Sequence, residues 1–140
     1  MKNTKLKGDI AEQRLILEAL KRGWGVSIPL GDRLPYDLIL DINSTLLKIQ
    51  IKSAWFDQVK GNYVIDVRRS LTNQRTIIHR PYSLQDFDFA IIYLDEIDIF
   101  YILPTKAFLS YKSEIHFVEA EKRQRKPQSA KYREAWHLLM

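Results

Sequence analysis

The chain has 140 residues, no cysteine, 46% hydrophobic residues and a net charge of +5 at neutral pH. This length suits a single domain over residues 1–140 that buries its own hydrophobic core. The lack of cysteine excludes disulfides and thiolate-bound zinc or iron–sulfur sites. The N-terminal residues are charged, unlike a signal peptide, and the apolar runs are too short to span a bilayer. We therefore expect a soluble, cytoplasmic protein with no membrane partner.

Positive charge is concentrated in two segments that contain no acidic residue. Residues 68–80 contain four arginines, and residues 122–133 contain six lysines or arginines. Solvated basic loops would explain either segment alone. Two such segments in one short chain instead favour a surface that binds a polyanion, so the charge distribution indicates nucleic acid as a partner.

Hydrophobic periodicity predicts a helix over residues 5–22, followed by Gly23 as a natural helix end. A short extended segment at residues 24–30 and a turn at Gly31-Asp32 are expected next. The apolar stripe of the helix is predicted to consist of Leu6, Ile10, Ile16, Leu17 and Leu20.

Residues 37–42 and 45–53 have strand character and are separated by the turn-prone pair Asn43-Ser44. A two-residue hairpin loop at this pair would place Leu38 opposite Ile49 on an apolar face. A shift of one residue would mix polar and apolar side chains on both faces, so the hydrophobic pattern supports this register.

The same register brings three polar side chains together on the other face of the hairpin. Asp37 would lie opposite Gln50, and Lys52 follows two residues further along the strand. Phosphodiester hydrolysis needs a metal on oxygen ligands, an activated water and positive charge beside the phosphorus. A carboxylate suits Mg²⁺, and a lysine can orient or deprotonate the attacking water. Each residue has a simpler structural explanation by itself, so the hypothesis depends on the combination.

Further strands are expected at residues 63–67, 87–94, 99–103 and 115–118, and a closing helix at residues 132–140. Residues 68–85 show no clear period and are predicted to form a long irregular excursion. Long excursions in compact domains are often functional.

Two motifs in the first third of the chain resemble those of the PD-(D/E)XK nuclease superfamily. Pro35-Tyr36-Asp37 is followed, after twelve intervening residues, by Gln50-Ile51-Lys52. Upstream, Gly8-Asp9-Ile10-Ala11-Glu12 resembles the Gly-x-x-Ala-Glu helix motif of many members. The resemblance implies an α/β fold with a restriction-endonuclease-like core, in which a central mixed sheet is flanked by helices.

The resemblance also implies the roles of the site residues. Glu12, Asp37, Gln50 and Lys52 would be the catalytic residues, and Mg²⁺ (or Mn²⁺) would be the cofactor. The metal ligands would be Asp37, Glu12, Gln50 and the backbone carbonyl of Ile51. Glutamine stands where an acid is usual, and because its amide carries no charge we expect weaker metal binding than at a site with two acids on the hairpin.

Segments over nearly the whole chain, Gln50 included, are similar to the cyanobacterial group I intron-encoded homing endonucleases of this superfamily. They are residues 5–9, 23–26, 29–34, 46–50, 61–64, 86–90, 113–116, 122–127 and 132–138. This similarity implies site-specific double-strand cleavage of a long DNA target, within a tRNA gene, by a homotetramer. A subunit of 140 residues is too small to read a long target from both sides.

DNA contacts are expected from the excursion and from the basic C-terminal segment at residues 122–140. Arginine can read guanine edges and asparagine or glutamine can read adenine, although phosphate anchoring is the more frequent role of a single arginine. The excursion candidates are Arg68, Arg69, Asn73, Gln74, Arg75 and Arg80. The C-terminal candidates, which could instead stabilise a subunit interface, are Lys122, Arg123, Arg125 and Lys126.

Two other functions remain open on the same fold. One is a structure-specific nuclease such as a Holliday-junction resolvase, which would prefer four-way junctions regardless of their sequence. The other is a non-catalytic DNA- or RNA-binding protein, which Gln50 in place of an acid keeps open. The presence of Asp37, Lys52 and Glu12 argues against this second alternative.

Overall fold

The computed structural model describes residues 4–72, 77–120 and 127–140, and for residues 69–80 it describes only the backbone of the two strands found there. The helices are α1 (Thr4–Lys21) and α2 (Thr105–Leu109). The strands are β1 (Gly25–Ser27), β2 (Leu38–Ile42), β3 (Thr45–Ser53), β4 (Trp55–Asp57), β5 (Asn62–Asp66), β6 (Arg69–Thr72), β7 (Ile77–Arg80), β8 (Phe89–Leu94), β9 (Ile99–Pro104) and β10 (Glu114–Phe117). The first helix and the predicted strands are confirmed, and most of their ends lie within two residues of the predicted ones. The sequence pattern does not predict β4 or α2.

A mixed sheet forms the centre of the fold. Its five strands lie in the order β1-β2-β3-β8-β9, and only β3 and β8 run parallel. A second sheet of three strands, in the order β10-β5-β4, and the two-stranded β6–β7 hairpin complete the described strands. The arrangement is an α/β fold with a mixed sheet at its centre, as predicted.

The β2–β3 hairpin has the register that the hydrophobic pattern predicts. Leu38 pairs with Ile49 and Ile42 pairs with Thr45. The loop residues Asn43 and Ser44 have φ values of 51° and 67°. Positive φ at both positions is what a type I′ turn requires, and this turn matches the twist of the two strands that it joins.

The predicted apolar stripe of α1 is wrong for most of its residues. The helix buries Ala11, Leu15 and Ala19 completely, and Ile16 packs partly against the same core. Alanines let the helix backbone come close to the sheet, so the small side chains form the packed face. The other members of the predicted stripe are exposed: Leu6 by 53%, Ile10 by 37%, Leu17 by 48% and Leu20 by 59%.

The prediction of an irregular excursion is also wrong for eight of its residues. Strands β6 and β7 form an antiparallel hairpin in which Arg69 pairs with Arg80 and Thr72 pairs with Ile77. Thr72, Ile77 and Ile78 are β-branched and favour strands, but the segment lacks the alternation that would identify them. Residues 73–76 lie outside the described part of the chain.

The predicted closing helix at residues 132–140 is replaced by two 3-10 turns, Gln128–Tyr132 and Trp136–Leu139. Between the turns, Arg133 is extended and forms a β-bridge with Tyr101. The backbone N–H of Glu134, whose φ is 49°, donates to the carbonyl of Phe100. Pairing with β9 therefore prevents a continuous helix, although Trp136 is buried as a helical stripe would predict.

Hydrophobic cores cover both faces of the central sheet. Along β8, Ile91 belongs to the core beneath α1, whereas Ala90 and Ile92 belong to the core shared with β5, β10 and α2. The alternation follows from the two-residue period of a strand. Among the described residues, no helix has both the length and the apolar character needed to cross a membrane.

Candidate active site

Asp37 is fixed immediately before β2 by both its backbone and its carboxylate. Its N–H donates to the carbonyl of Ile49 at 2.8 Å, which continues the hairpin ladder. Its Oδ2 accepts hydrogen bonds from the Ile51 N–H at 2.7 Å and from Gln50 Nε2 at 3.0 Å. The structure thus places Asp37 beside Gln50, where the register predicts it.

The side-chain amide of Gln50 has its nitrogen toward the other polar groups. Besides Asp37, Nε2 contacts the carbonyl oxygen of Ile51 at 3.2 Å. Rotation of the amide by about 180° would exchange Nε2 for Oε1, an oxygen that can ligate a hard cation.

Burial works against ionisation of Asp37. The partly buried position of Asp37 raises the pKa of its carboxyl, and two smaller effects lower that pKa: the hydrogen bond from Ile51 and the charge of Lys52. The net direction is upward. A cation placed against this carboxylate would favour its charged form.

Glu12 reaches the same region from α1. Burial raises the pKa of Glu12, and the charges of Asp37 and Asp9 raise it further. Since like charges disfavour each other's ionised forms, this shift indicates that Glu12 and Asp37 share one electrostatic environment. The arrangement offers two carboxylates, one amide and one backbone carbonyl, all hard oxygen donors that suit Mg²⁺ or Mn²⁺. Within the described residues, no group of three or more His, Cys, Asp and Glu side chains is placed to hold a metal ion.

Lys52 is partly buried near the end of β3, and two of its contacts lie outside the predicted trio. Its Nζ lies 3.5 Å from the carbonyl oxygen of Arg68 and 5.2 Å from the centre of the Tyr82 ring. Burial lowers the pKa of the ammonium, and the charges of Asp66 and Asp37 act in the opposite direction. Lys52, Asp37 and Asp66 therefore belong to one cluster of interacting charges.

Two residues that contact or influence Lys52 were not predicted from the sequence. Asp66 ends the apolar strand β5, where a polar residue is unremarkable, and Tyr82 lies in a segment without periodicity. Neither residue carries a pattern that would identify it. Both positions depend on tertiary packing: Asp66 lies on β5, which pairs with β4 and β10, and Tyr82 contacts Lys52 from a segment thirty residues away in sequence.

Among the candidates for DNA contact, Arg68 is exposed and forms an ion pair with Asp66 at 2.8 Å. For Arg69 and Arg80 the structure describes the backbone and not the side chains. Asn73, Gln74 and Arg75 lie outside the described residues. The C-terminal candidates also lie outside them: Lys122, Arg123, Arg125 and Lys126. Their roles stay predictions.

The sequence matches the PD-(D/E)XK endonuclease family over residues 2–139. The chain therefore belongs to the PD-(D/E)XK endonuclease family. In addition, a solved structure described as a bacterial homing endonuclease, I-Ssp6803I, is similar, with 58% identity and a TM-score of 0.92. The alignment covers 99% of this chain and 93% of that one. No match was found among curated proteins. The family resemblance and the fold class predicted from the sequence are confirmed.

Proposed function

We propose that the protein is a site-specific DNA endonuclease that cleaves both strands of its target by metal-dependent phosphodiester hydrolysis. The observation that carries the proposal is the contact of the Asp37 carboxylate with Gln50 and Ile51, beside the partly buried Lys52. Membership of an endonuclease family supports the reaction class. The identity with a homing endonuclease supports a specific target.

Asp37, Glu12, Gln50 through Oε1 and the Ile51 carbonyl would hold the metal ion, for which Mg²⁺ or Mn²⁺ fits the donors. When bound, a divalent ion supplies Lewis acidity and lowers the pKa of a coordinated water.

The protein groups have separate tasks in this mechanism. The Ile51 N–H holds the Asp37 carboxylate in a fixed orientation. Lys52 holds or accepts a proton at Nζ and places positive charge where negative charge develops on the phosphate. Because burial lowers the pKa of Lys52, its ammonium group loses a proton more readily than that of an exposed lysine.

The finer part of the proposal is intron homing: cleavage within a tRNA gene by a protein encoded in a group I intron. The sequence similarity to intron-encoded homing endonucleases supports it, and so does the 58% identity with a bacterial homing endonuclease of known structure. Cleavage of a long target also requires more than one subunit, and we propose a homotetramer.

An exposed stripe on α1 supports assembly into an oligomer. Leu6, Ile10, Gln13, Leu17 and Leu20 repeat at alternating steps of four and three residues. This is the spacing of the seam between two packed helices, and a polar residue within such a seam fixes its register. The stripe lies opposite the buried face formed by Ala11, Leu15 and Ala19. Four partly exposed aliphatic side chains on one helix face are therefore available to a second subunit.

Light scattering on the purified protein tests the assembly. We expect the mass of a tetramer, and Leu17→Lys should shift the protein to smaller species because it places a charge within the seam. Leu30→Lys is the matched control, since Leu30 is 93% exposed and lies outside α1. A monomeric wild type, or a Leu17→Lys variant that remains tetrameric, contradicts a role of this stripe in assembly.

Cleavage of a randomised duplex library in Mg²⁺ tests the reaction and its specificity together. Wild-type protein should enrich one long target among the cut molecules, whereas Lys52→Met should cut none above background. Lys52→Met keeps most of the unbranched side chain and removes its charge. Preferential cutting of four-way junctions regardless of sequence would instead indicate a resolvase, and binding without cutting would indicate a non-catalytic DNA-binding protein.

A further inference from the structure

Both ends of the β6–β7 hairpin meet at Lys52. Arg68 immediately precedes β6, and its carbonyl oxygen lies 3.5 Å from Lys52 Nζ. Tyr82 follows β7 by two residues, and the centre of its ring lies 5.2 Å from the same atom. The lysine of the candidate active site is therefore held between the two segments through which this hairpin joins the rest of the fold.

The Tyr82 ring is itself held firmly. Its side chain is buried, with 8% exposure, in the core beneath the second sheet. It packs edge to face with Phe87 at 5.1 Å and with Phe108 at 6.0 Å between ring centres. Phe87 and Phe108 are also packed edge to face, at 5.5 Å. Three rings in mutual contact have few alternative positions, so the ring face beside Lys52 is a fixed feature.

The ammonium group of Lys52 needs a fixed neighbour if it is to stay in one position. Strand β3 fixes only its backbone, and four rotatable bonds separate the ammonium from the strand. The contact with the Arg68 carbonyl lies at the outer limit of hydrogen-bond length. An aromatic face attracts a cation within about 6 Å of its centre, more strongly where water is excluded. The ring therefore restricts the ammonium more than the carbonyl does.

We propose that Tyr82 is a positioning residue for hydrolysis: its ring face holds the ammonium of Lys52 in the orientation that the reaction requires. The inference rests on the proposed function, because it assigns a task to Tyr82 only through Lys52. The two segments that join the β6–β7 hairpin to the rest of the fold both contact Lys52.

Single-turnover cleavage of the enriched target by Tyr82 variants tests the inference. Tyr82→Leu should lower the cleavage rate by about tenfold, since a misplaced catalytic group loses most of its effect, while target affinity measured in Ca²⁺ stays within about twofold. Tyr82→Phe keeps the ring face and should retain the rate within about threefold.

Phe117→Leu is the control for loss of packing. Phe117 is a fully buried ring of the same core whose ring contact is with Tyr101 instead of Tyr82. This variant should be destabilised as Tyr82→Leu is, but at a temperature where all variants are folded it should cut at the wild-type rate. Equal loss of rate in Tyr82→Leu and Phe117→Leu would reduce Tyr82 to a core residue and overturn the inference.

A second measurement is independent of cleavage. A ring face shifts the resonances of nearby protons upfield, so the Lys52 ε-protons, assigned by their disappearance in Lys52→Met, should be shifted in the wild type and in Tyr82→Phe but not in Tyr82→Leu. Unshifted ε-protons in the wild type overturn the inference even if the protein cuts DNA. A wild type that cuts no target overturns the proposed function, and the positioning role with it, whatever the resonances show.

Discussion

Helix α1 contributes charged side chains to two clusters, and the two clusters differ in how well their charges are compensated. The first is the candidate active site, where the charge of Asp37 affects both Glu12 and Lys52. The second is a network in which Arg14 contacts Asp98 at 2.9 Å and Glu18 at 3.0 Å. Both clusters connect the same helix to residues elsewhere in the fold.

At the candidate site the charged forms are disfavoured. Burial is the largest cause of each shift: it raises the pKa of Asp37 and Glu12 and lowers the pKa of Lys52. Each of these groups would ionise more readily in the unfolded chain. The folded protein is therefore less stable at neutral pH than it would be with uncharged groups of the same shape.

In the network the charged forms are favoured. The hydrogen bond from Arg14 is the main reason that the pKa of Asp98 lies below its ordinary range, and the hydroxyl of Tyr93 donates a second bond at 2.6 Å. The hydrogen bond to Asp98 likewise raises the pKa of Arg14. Charges that complete one another's hydrogen bonds stabilise the fold, whereas burial disfavours the charged groups of the candidate site.

Removal of the Lys52 charge should have the largest effect on the cleavage rate. It should also distinguish the two clusters most clearly, because stability should not fall with activity. Lys52→Met is expected to lower the cleavage rate by about 10²–10³-fold, because the positive charge beside the phosphate is lost. The free energy of unfolding should not fall, because the variant no longer buries an ammonium. Single-turnover kinetics and urea unfolding measure the two quantities, with Lys106→Met, at an exposed position of α2, as control. Normal cleavage by Lys52→Met would remove the basis of the mechanism.

Asp37→Asn should also lower cleavage, by at least about 10²-fold, because a neutral amide is a weaker ligand for a hard cation. Its stability should equal or exceed that of the wild type at neutral pH. The pKa of Asp37 is raised in the folded state, so the cost of its charge is present above that pKa and disappears as the pH falls below the unfolded value. The advantage of the variant should therefore shrink on acidification.

Urea unfolding of Asp37→Asn at several pH values measures this advantage, and Asp41→Asn, at an exposed position of β2, is the matched control. A variant that is less stable than the wild type near neutral pH would show that Asp37 stabilises the fold as Asp98 does.

Gln50→Glu should add an uncompensated negative charge to the candidate site when no metal is bound. With metal bound, the same charge should strengthen the binding of the ion. A carboxylate beside Asp37 repels it, so metal-free protein should be less stable at neutral pH. Because added ligand charge strengthens binding of a hard cation, the Mg²⁺ concentration for half-maximal cleavage should fall about tenfold. Gln128→Glu, in an exposed turn, is the control for added charge. An unchanged metal requirement would indicate that the side chain of Gln50 does not contact the ion.

Asp98→Asn should have the smallest effect of these variants. In contrast to the variants of the candidate site, it should lower stability and leave cleavage unchanged. It is expected to lower the free energy of unfolding by roughly 0.5 kcal/mol, as for other solvent-exposed ion pairs, and to leave cleavage unchanged. Since the folded pKa of Asp98 is depressed, its contribution is present above the ordinary aspartate pKa and is lost as the pH falls through the folded value. The difference between wild type and variant should thus vanish in acid. Slower cleavage would mean that the two clusters are coupled through α1.

The sequence predicts the part of the site that one hairpin builds. The alternation of apolar residues fixes the β2–β3 register, and that register alone places Asp37 beside Gln50. The Gly-x-x-Ala-Glu motif identifies Glu12 as a candidate although it is far from the hairpin in sequence. Local patterns are sufficient here because a one-residue shift would expose a complete hydrophobic face.

Features set by distant segments are not predictable in this way. Periodicity predicts one apolar stripe on α1 from its large aliphatic residues, so the small residues Ala11 and Ala19 are overlooked as part of the packed face. The C-terminal segment has a helical pattern, yet pairing of Arg133 with Tyr101 prevents the helix. The contact between Lys52 and Tyr82 likewise depends on packing between segments thirty residues apart, for which a single sequence carries no signal.

The type I′ turn at Asn43 and Ser44 offers a place for a spectroscopic reporter. The chain has no cysteine, so Ser44→Cys would introduce a unique thiol at an exposed position that already tolerates a non-glycine residue with positive φ. The strand from Asp37 to Ile42 spans about 17 Å at about 3.4 Å per residue, which separates a dye at the turn from the reacting groups. Fluorescence from that position could follow the encounter with DNA while the hydrolytic chemistry stays intact.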